Sequence, residues 1–221
     1  MLAELLHVCR HGPATLALKR RLPQEDCYAI LIDRADRAGL AARRGALVAD
    51  LRGEIVEVGC GTGAMFPHYQ EGARVTAIEP DPAFAARARA GAPPAIAVHQ
   101  ATGEALPLAE RSMDAAVLAL VLCSVPDVDA VCREVARVVR PGGALRLIEH
   151  VRSERRVAGA LMRAIDPLWL AINGQGCHLA RDPVPSLVRA GFELASIEAF
   201  QIWSAGLPAF PMRAIRATRR G

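Results

Sequence analysis

A chain of 221 residues with 52% apolar side chains suffices for one α/β domain with a full core, and 4% aromatic content leaves Leu, Val, Ile and Ala to fill it. The net charge of +4 comes almost wholly from arginine, and only Arg213, Arg216, Arg219 and Arg220 cluster, without interleaved aromatics, which argues against nucleic-acid binding. The cysteines (Cys9, Cys27, Cys60, Cys123, Cys132, Cys177) show no C-x-x-C spacing, the longest apolar run (115–123) is far short of the ~20 residues that span a bilayer, and no secretory or transit pattern opens the chain; a soluble cytoplasmic protein with reduced thiols and no metal site is expected.

Residues 1–51 read as helical, interrupted near Pro23. Leu2, Leu5 and Leu6 make a short apolar face, Leu16 and Leu18 precede the basic Lys19-Arg20-Arg21, and Ile30, Leu31, Leu40, Leu47, Val48 and Leu51 recur at roughly helical spacing before Gly53. A core-packing preface is expected; peripheral membrane contact through the basic-edged N-terminal segment is a lesser alternative. A buried strand then ends at Val58 and turns through Gly59, Gly61 and Gly63, with helix-compatible Ala64, Met65 and Phe66 behind. Such a turn lets a ligand press against bare backbone at a helix start. Gly59, Gly61 and Ala64 also satisfy the dinucleotide fingerprint G-x-G-x-x-G/A. Glu57 pulls the other way, since a carboxylate beside the loop repels pyrophosphate and welcomes an ammonium.

The second strand, 74–78, runs into Glu79-Pro80-Asp81-Pro82. Glu79 lies 16 residues past Gly63, close to where nucleotide-binding folds place an acid for ribose hydroxyls. A helix cap is the alternative there, and it suits Asp81 better. A short third strand (95–99) leads to Thr102-Gly103-Glu104. The fourth, 114–119, is apolar on both faces, as a central parallel strand should be. It opens onto Leu120 and Cys123. Val128 to Val139 trace one helical face, stopped by Pro141-Gly142-Gly143, and the fifth strand (144–148) ends in Glu149-His150. Strand tips of an open parallel sheet are where ligands bind, so Leu120, Cys123 and His150 point to the site. Residues 151–181 are irregular and read as an insertion walling an acceptor pocket. A helix (184–190) and two strands (192–199 and 212–218), an antiparallel hairpin with a long Pro-rich link, close the chain.

Glu57 through Gly63 match, residue for residue, the E/D-x-G-x-G-x-G first motif of the class I S-adenosylmethionine-dependent methyltransferases, and the chain resembles that family. From Glu54 onward it is similar to the methyltransferase-like thiol S-methyltransferases, on Leu120-Val-Leu-Cys-Ser-Val125, Arg140-Pro-Gly-Gly143, Glu149-His-Val151 and Gly176-Cys-His178. The resemblance implies a Rossmann-like fold with a seven-stranded, mostly parallel sheet. It divides one domain into an N-terminal helical lid (1–52), a cofactor-binding half (53–150) and an acceptor-side insertion with C-terminal strands (151–221). It implies S-adenosylmethionine as cofactor, with S-adenosylhomocysteine as product, held by Glu57, Gly59, Cys60, Gly61, Gly63, Glu79, Pro80, Thr102, Gly103, Glu104, Leu120 and Cys123. Thr102 stands where many members carry the Asp that reaches the adenine amino group, so adenine recognition is expected to lean on Gly103 backbone and on Thr102 or Glu104. His150 is the candidate base or orienting group and His178 the second, and Cys123 and Cys177 line the pocket. The acceptor is expected to be a small thiol or sulfide, with a lipid, quinone or secondary metabolite methylated on N, O or C as the alternative. A cofactor-binding protein without catalysis and a dinucleotide-dependent oxidoreductase are the readings from other classes. A monomer or homodimer is expected.

Overall fold

The computed structural model describes residues 21–173, 176–202 and 210–221. The expected helical face of the first 18 residues, Gly174-Gln175 and the Pro-rich link lie outside the described residues. Helix α1 (Gln24–Ala35) passes through a π-turn (Asp36–Leu40), kinked at Gly39 with φ 112°, into α2 (Ala41–Val48). Then follow β1 (Gly53–Val58), β2 (Ala73–Ile78), α3 (Pro82–Gly91), β3 (Ile96–His99) and β4 (Met113–Ala119). The chain continues through α4 (Val128–Val138), β5 (Val139–His150), α5 (Arg156–Asn173), α6 (Val184–Arg189), β6 (Phe192–Ile202) and β7 (Phe210–Arg219).

The seven strands lie in the order β3-β2-β1-β4-β5-β7-β6. All neighbours are parallel except β7, which runs antiparallel to both β5 and β6. Alternate residues of β1 feed opposite faces of the sheet. Val56 and Val58 pack with Val131, Val135, Leu147 and Phe192. Ile55 packs with Leu40, Leu47, Val48 and Val117 on the N-terminal helical side. β1 and β4 meet at the centre, where the strand order reverses, and the crevice at their carboxyl ends is where an α/β sheet takes a ligand.

Three expectations are corrected. No α-helix follows the glycine loop; the chain makes turns and a single 3-10 turn, Phe66–His68. Pro141-Gly142-Gly143 do not sit beyond α4 as a loop but lie within β5, where the pairing with β4 shifts register between Met113 and Ala115. Residues 151–181 contain an 18-residue helix, α5, with Pro167 inside it. Its apolar Val157, Leu161, Ile165 and Leu168 face outward, so its pattern does not mark a core stripe. No helix among the described residues is long and apolar enough to cross a membrane.

Candidate active site at the strand tips

Gly59, Gly61 and Gly63 have φ of 67°, 58° and 89°, in the left-handed region glycine tolerates. Gly59 and Cys60 both donate their N–H to Ile78 O, at 2.8 and 3.0 Å, which ties the loop to the tip of β2. A Cβ on Gly59 would sit 2.7 Å from Val121 Cγ2, and one on Gly63 2.7 Å from the Phe66 ring. The protein's own packing therefore requires these two glycines. Gly61 differs: its neighbour is the Tyr28 ring of α1, 3.3 Å from where a Cβ would lie, and its N–H donates to Glu79 Oε2 at 2.9 Å. Cys60 turns its thiol into the core.

Two buried acids flank the loop. Glu57 is 2% exposed and accepts from Tyr69 Oη at 2.9 Å. Burial pushes its carboxyl up to about 7, against the Tyr69 hydrogen bond and the Arg44 cation and with help from Glu79. Glu79 takes N–H groups from Gly61 and, at 3.1 Å, from Asp81, and burial raises its carboxyl despite both. Asp81 is the cap of α3, accepting from Ala83 and Phe84 N–H at 2.8 and 3.1 Å, so the two acids divide the roles weighed in sequence. Pro80 is exposed. At the end of β3, Thr102 is exposed while Glu104 is partly buried with Oε1 sequestered and without a hydrogen-bond partner. Gly103 lets this turn close on β1, for a Cβ there would lie 2.9 Å from Val58 Cγ1.

The turn after β4 is held from beneath. Leu120 has a φ of 65°, a conformation costly for a branched side chain. Its N–H donates to Ile148 O at 2.8 Å. Glu149, fully buried, receives Val121 and Leu122 N–H on Oε1, both at 2.9 Å, and Cys123 N–H on Oε2 at 3.4 Å. Burial raises this carboxyl to about 7 in spite of the three donors. Arg181 clamps the same turn from outside, donating to Leu122 O at 3.0 Å and Val125 O at 2.6 Å.

Against this turn lies the segment after α5. His178 N–H donates to Cys123 O at 2.8 Å, and Asn173 Nδ2 donates to Cys177 O at 2.9 Å. The His178 side chain meets Asp166 Oδ2 through Nδ1 at 2.9 Å, and Asp166 Oδ1 takes the Leu179 N–H. His150 is buried, stacks at 4.6 Å on Phe210, and places Nδ1 3.6 Å from Cys177 Sγ. Its Nε2 is buried without a hydrogen-bond partner, as is Trp169 Nε1 beside Phe210. Cys123 raises no competing anion: a hydrogen bond with Cys177 and burial drive its thiol well up, while the same bond lowers Cys177.

Residues 56–147 match the methyltransferase domain family model. Over 66% of this chain and 63% of the relative, the sequence is 38% identical to the thiol S-methyltransferase TMT1A of Homo sapiens. It is 30% identical to a phosphatidylethanolamine N-methyltransferase of Cereibacter sphaeroides over 51% of this chain and 58% of that one. The fold superposes on an S-adenosylmethionine-dependent methyltransferase of Mesorhizobium loti with a TM-score of 0.63 at 22% identity, covering 82% of this chain and 98% of that one. Residues 56–147 carry the methyltransferase domain of the class I S-adenosylmethionine-dependent type. The match spans just under two thirds of the human relative's length.

The cofactor of this methyltransferase is S-adenosylmethionine, and the residues present suit it. A buried carboxyl at Glu57, a second acid at Glu79 at the end of β2, bonded to the glycine loop, and an unpartnered acceptor at Glu104 suit an ammonium, a diol and an amino group. Sequence reasoning missed Glu149 and Arg181 as the clamp of the Cys123 turn, Tyr28 as the side chain against Gly61, and the pairing of Asp166 with His178. A glutamate ending an otherwise apolar strand was the available signal for the first of these.

Proposed function

We propose that the protein transfers the methyl group of S-adenosylmethionine to a small thiol or sulfide. The bound cofactor supplies an electrophilic methyl on a sulfonium. The chain's own task is then to hold the reactants in line, exclude water and take the acceptor's proton. Glu57 receives the amino group of the cofactor, Glu79 the ribose hydroxyls, and Glu104 rather than Thr102 the adenine amino group. Tyr28 on α1 closes over Gly61 as part of a lid.

The observation that carries the acceptor side is the Asp166–His178 pair. An aspartate on Nδ1 fixes the ring and leaves Nε2 to accept a proton, so His178 moves ahead of His150 as the base. A thiol with a pKa of ~8.5 asks little of such a base at neutral pH. The 38%-identical human relative is a thiol S-methyltransferase, which agrees with a sulfur acceptor. Lipid N-methylation is the second reading, favoured by the exposed apolar face of α5 beside Arg152, Arg155 and Arg156.

A labelled-methyl assay with a small thiol, a primary amine, a phenol and a quinone precursor tests this. Transfer is expected to the thiol and to fall at least ~100-fold in His178→Ala, as loss of a positioned base costs 10²–10⁴. Faster transfer to any other member of the panel overturns the thiol assignment.

A further inference from the structure

Three donors from distant parts of the chain converge at this acceptor side: Cys123 after β4, His150 at the end of β5 and Cys177 after α5. Their ligating atoms all lie within 4.8 Å of one another, and Cys177 Sγ is 3.6 Å from His150 Nδ1. No C-x-x-C spacing announces them, and they meet only because the fold brings three distant strand and helix ends together.

From this geometry we propose that Cys123, His150 and Cys177 hold a zinc ion whose fourth position is open to the acceptor. A four-coordinate zinc, with bonds of ~2.3 Å to sulfur and ~2.0–2.1 Å to nitrogen, sets its donors roughly 3.5–4 Å apart. Cys177 Sγ and His150 Nδ1, at 3.6 Å, already stand at that spacing, and the whole trio lies within 4.8 Å. Two thiolates and an imidazole are a donor set zinc prefers. Their charge also suits the place: two thiolates cancel the ion's two positive charges, so a buried site carries no net charge.

The backbone around the trio is fixed independently of any ion. Glu149 binds the Cys123 N–H, His178 N–H holds Cys123 O, and Asn173 holds Cys177 O. Gly176, at φ 69° and with Ser124 O 3.1 Å from where a Cβ would be, allows the Cys177 segment to lie this close.

Three protein donors and one free position are the arrangement of zinc sites that bind an exogenous ligand, whereas structural zinc takes four. The metal site stands on geometry alone; the role of the free position rests on the thiol acceptor proposed above. There the acceptor R–SH forms a Zn–S bond as its S–H bond breaks, and the proton passes to His178 Nε2. A coordinated thiol is deprotonated outright, so the acceptor is presented as a thiolate held in one place.

The test uses the full chain, reduced and stripped of metal with a chelator, then titrated with Co²⁺. One equivalent is expected to give thiolate-to-cobalt charge-transfer absorption and the intense visible bands of a four-coordinate ion. Cys123→Ser and Cys177→Ser should each weaken cobalt binding by more than about 100-fold, since loss of groups that merely orient metal ligands already costs 10–100-fold. Cys132→Ser, whose thiol is buried elsewhere under α4, should leave it unchanged. No charge-transfer band in the wild type, or undiminished affinity in the double Ser variant, overturns the site. A small thiol added to the cobalt protein should shift the visible bands; unshifted bands overturn the role of the fourth position. Undiminished thiol methylation by the stripped protein would remove zinc and leave the thiol assignment standing. Stoichiometric cobalt binding without thiol methylation would do the reverse.

Discussion

Glu57, proposed above to receive the cofactor's amino group, is a buried carboxyl whose protonation would then depend on the ligand. Its pKa of about 7 is set first by desolvation, with Tyr69 and Arg44 opposing and Glu79 adding to the rise. An ammonium arriving beside it favours the ionised form, so binding of S-adenosylmethionine should release a proton and tighten as pH rises through 7. Calorimetry in buffers of different ionisation enthalpy reads that proton directly. Glu57→Gln should abolish the release and weaken binding by about 1.5–3 kcal/mol, the worth of one hydrogen bond to a charged group. Unchanged proton release in the variant would place the ammonium elsewhere. With Glu79 as the proposed ribose acceptor, Glu79→Ala should weaken binding by a similar amount or more, because the Gly61 N–H also loses its partner. Wild-type affinity there would show that the ribose lies against another group.

The elements that position these residues were unequally legible. β1, β2 and β4 announce themselves as apolar runs, and the Asp81 cap and the α4 stripe follow local rules that the fold obeys. α5 was hidden because its apolar residues face away from the core and Pro167 interrupts the reading. The Cys123 turn was legible as a strand tip but not as a clamped object, since Glu149 and Arg181 reach it from 26 and 56 residues away. A clamp with this design has an energetic signature. Glu149→Ala strands three buried N–H groups, each costing about 1–3 kcal/mol, so several kcal/mol of stability should vanish. Glu149→Gln keeps the oxygen facing Val121 and Leu122 and loses only the contact with Cys123, at about 1–2 kcal/mol. Urea melts of the pair measure both. Equal stability in the two variants would mean that the turn holds without its anchor.

For the whole molecule, the buried acids set how stability responds to pH. Glu57 and Glu149 both titrate near 7 in the folded chain against a normal 4.5, and Glu79 is raised as well. A carboxyl with a raised folded pKa binds its proton more tightly folded than unfolded. Its contribution is therefore fully present below about 4.5 and is lost as pH climbs through 7, by up to ~3 kcal/mol for each fully buried group. His68 pulls the other way: burial lowers its pKa, so stability it supplies is lost as pH falls through 6.5 and below, but the ring is only partly buried and its share is smaller. The ligand-free protein should accordingly melt at a higher temperature at pH 5.5 than at pH 8. With saturating S-adenosylmethionine the difference should shrink if the ammonium sits at Glu57 as proposed, since it then compensates the ionised carboxylate. The double variant Glu57→Gln, Glu149→Gln should flatten the ligand-free profile. Thermal melts across pH 5 to 8 decide the matter. A profile that rises toward pH 8 would mean that these acids remain ionised in the folded chain, and that the strand tips are wetter than their packing implies.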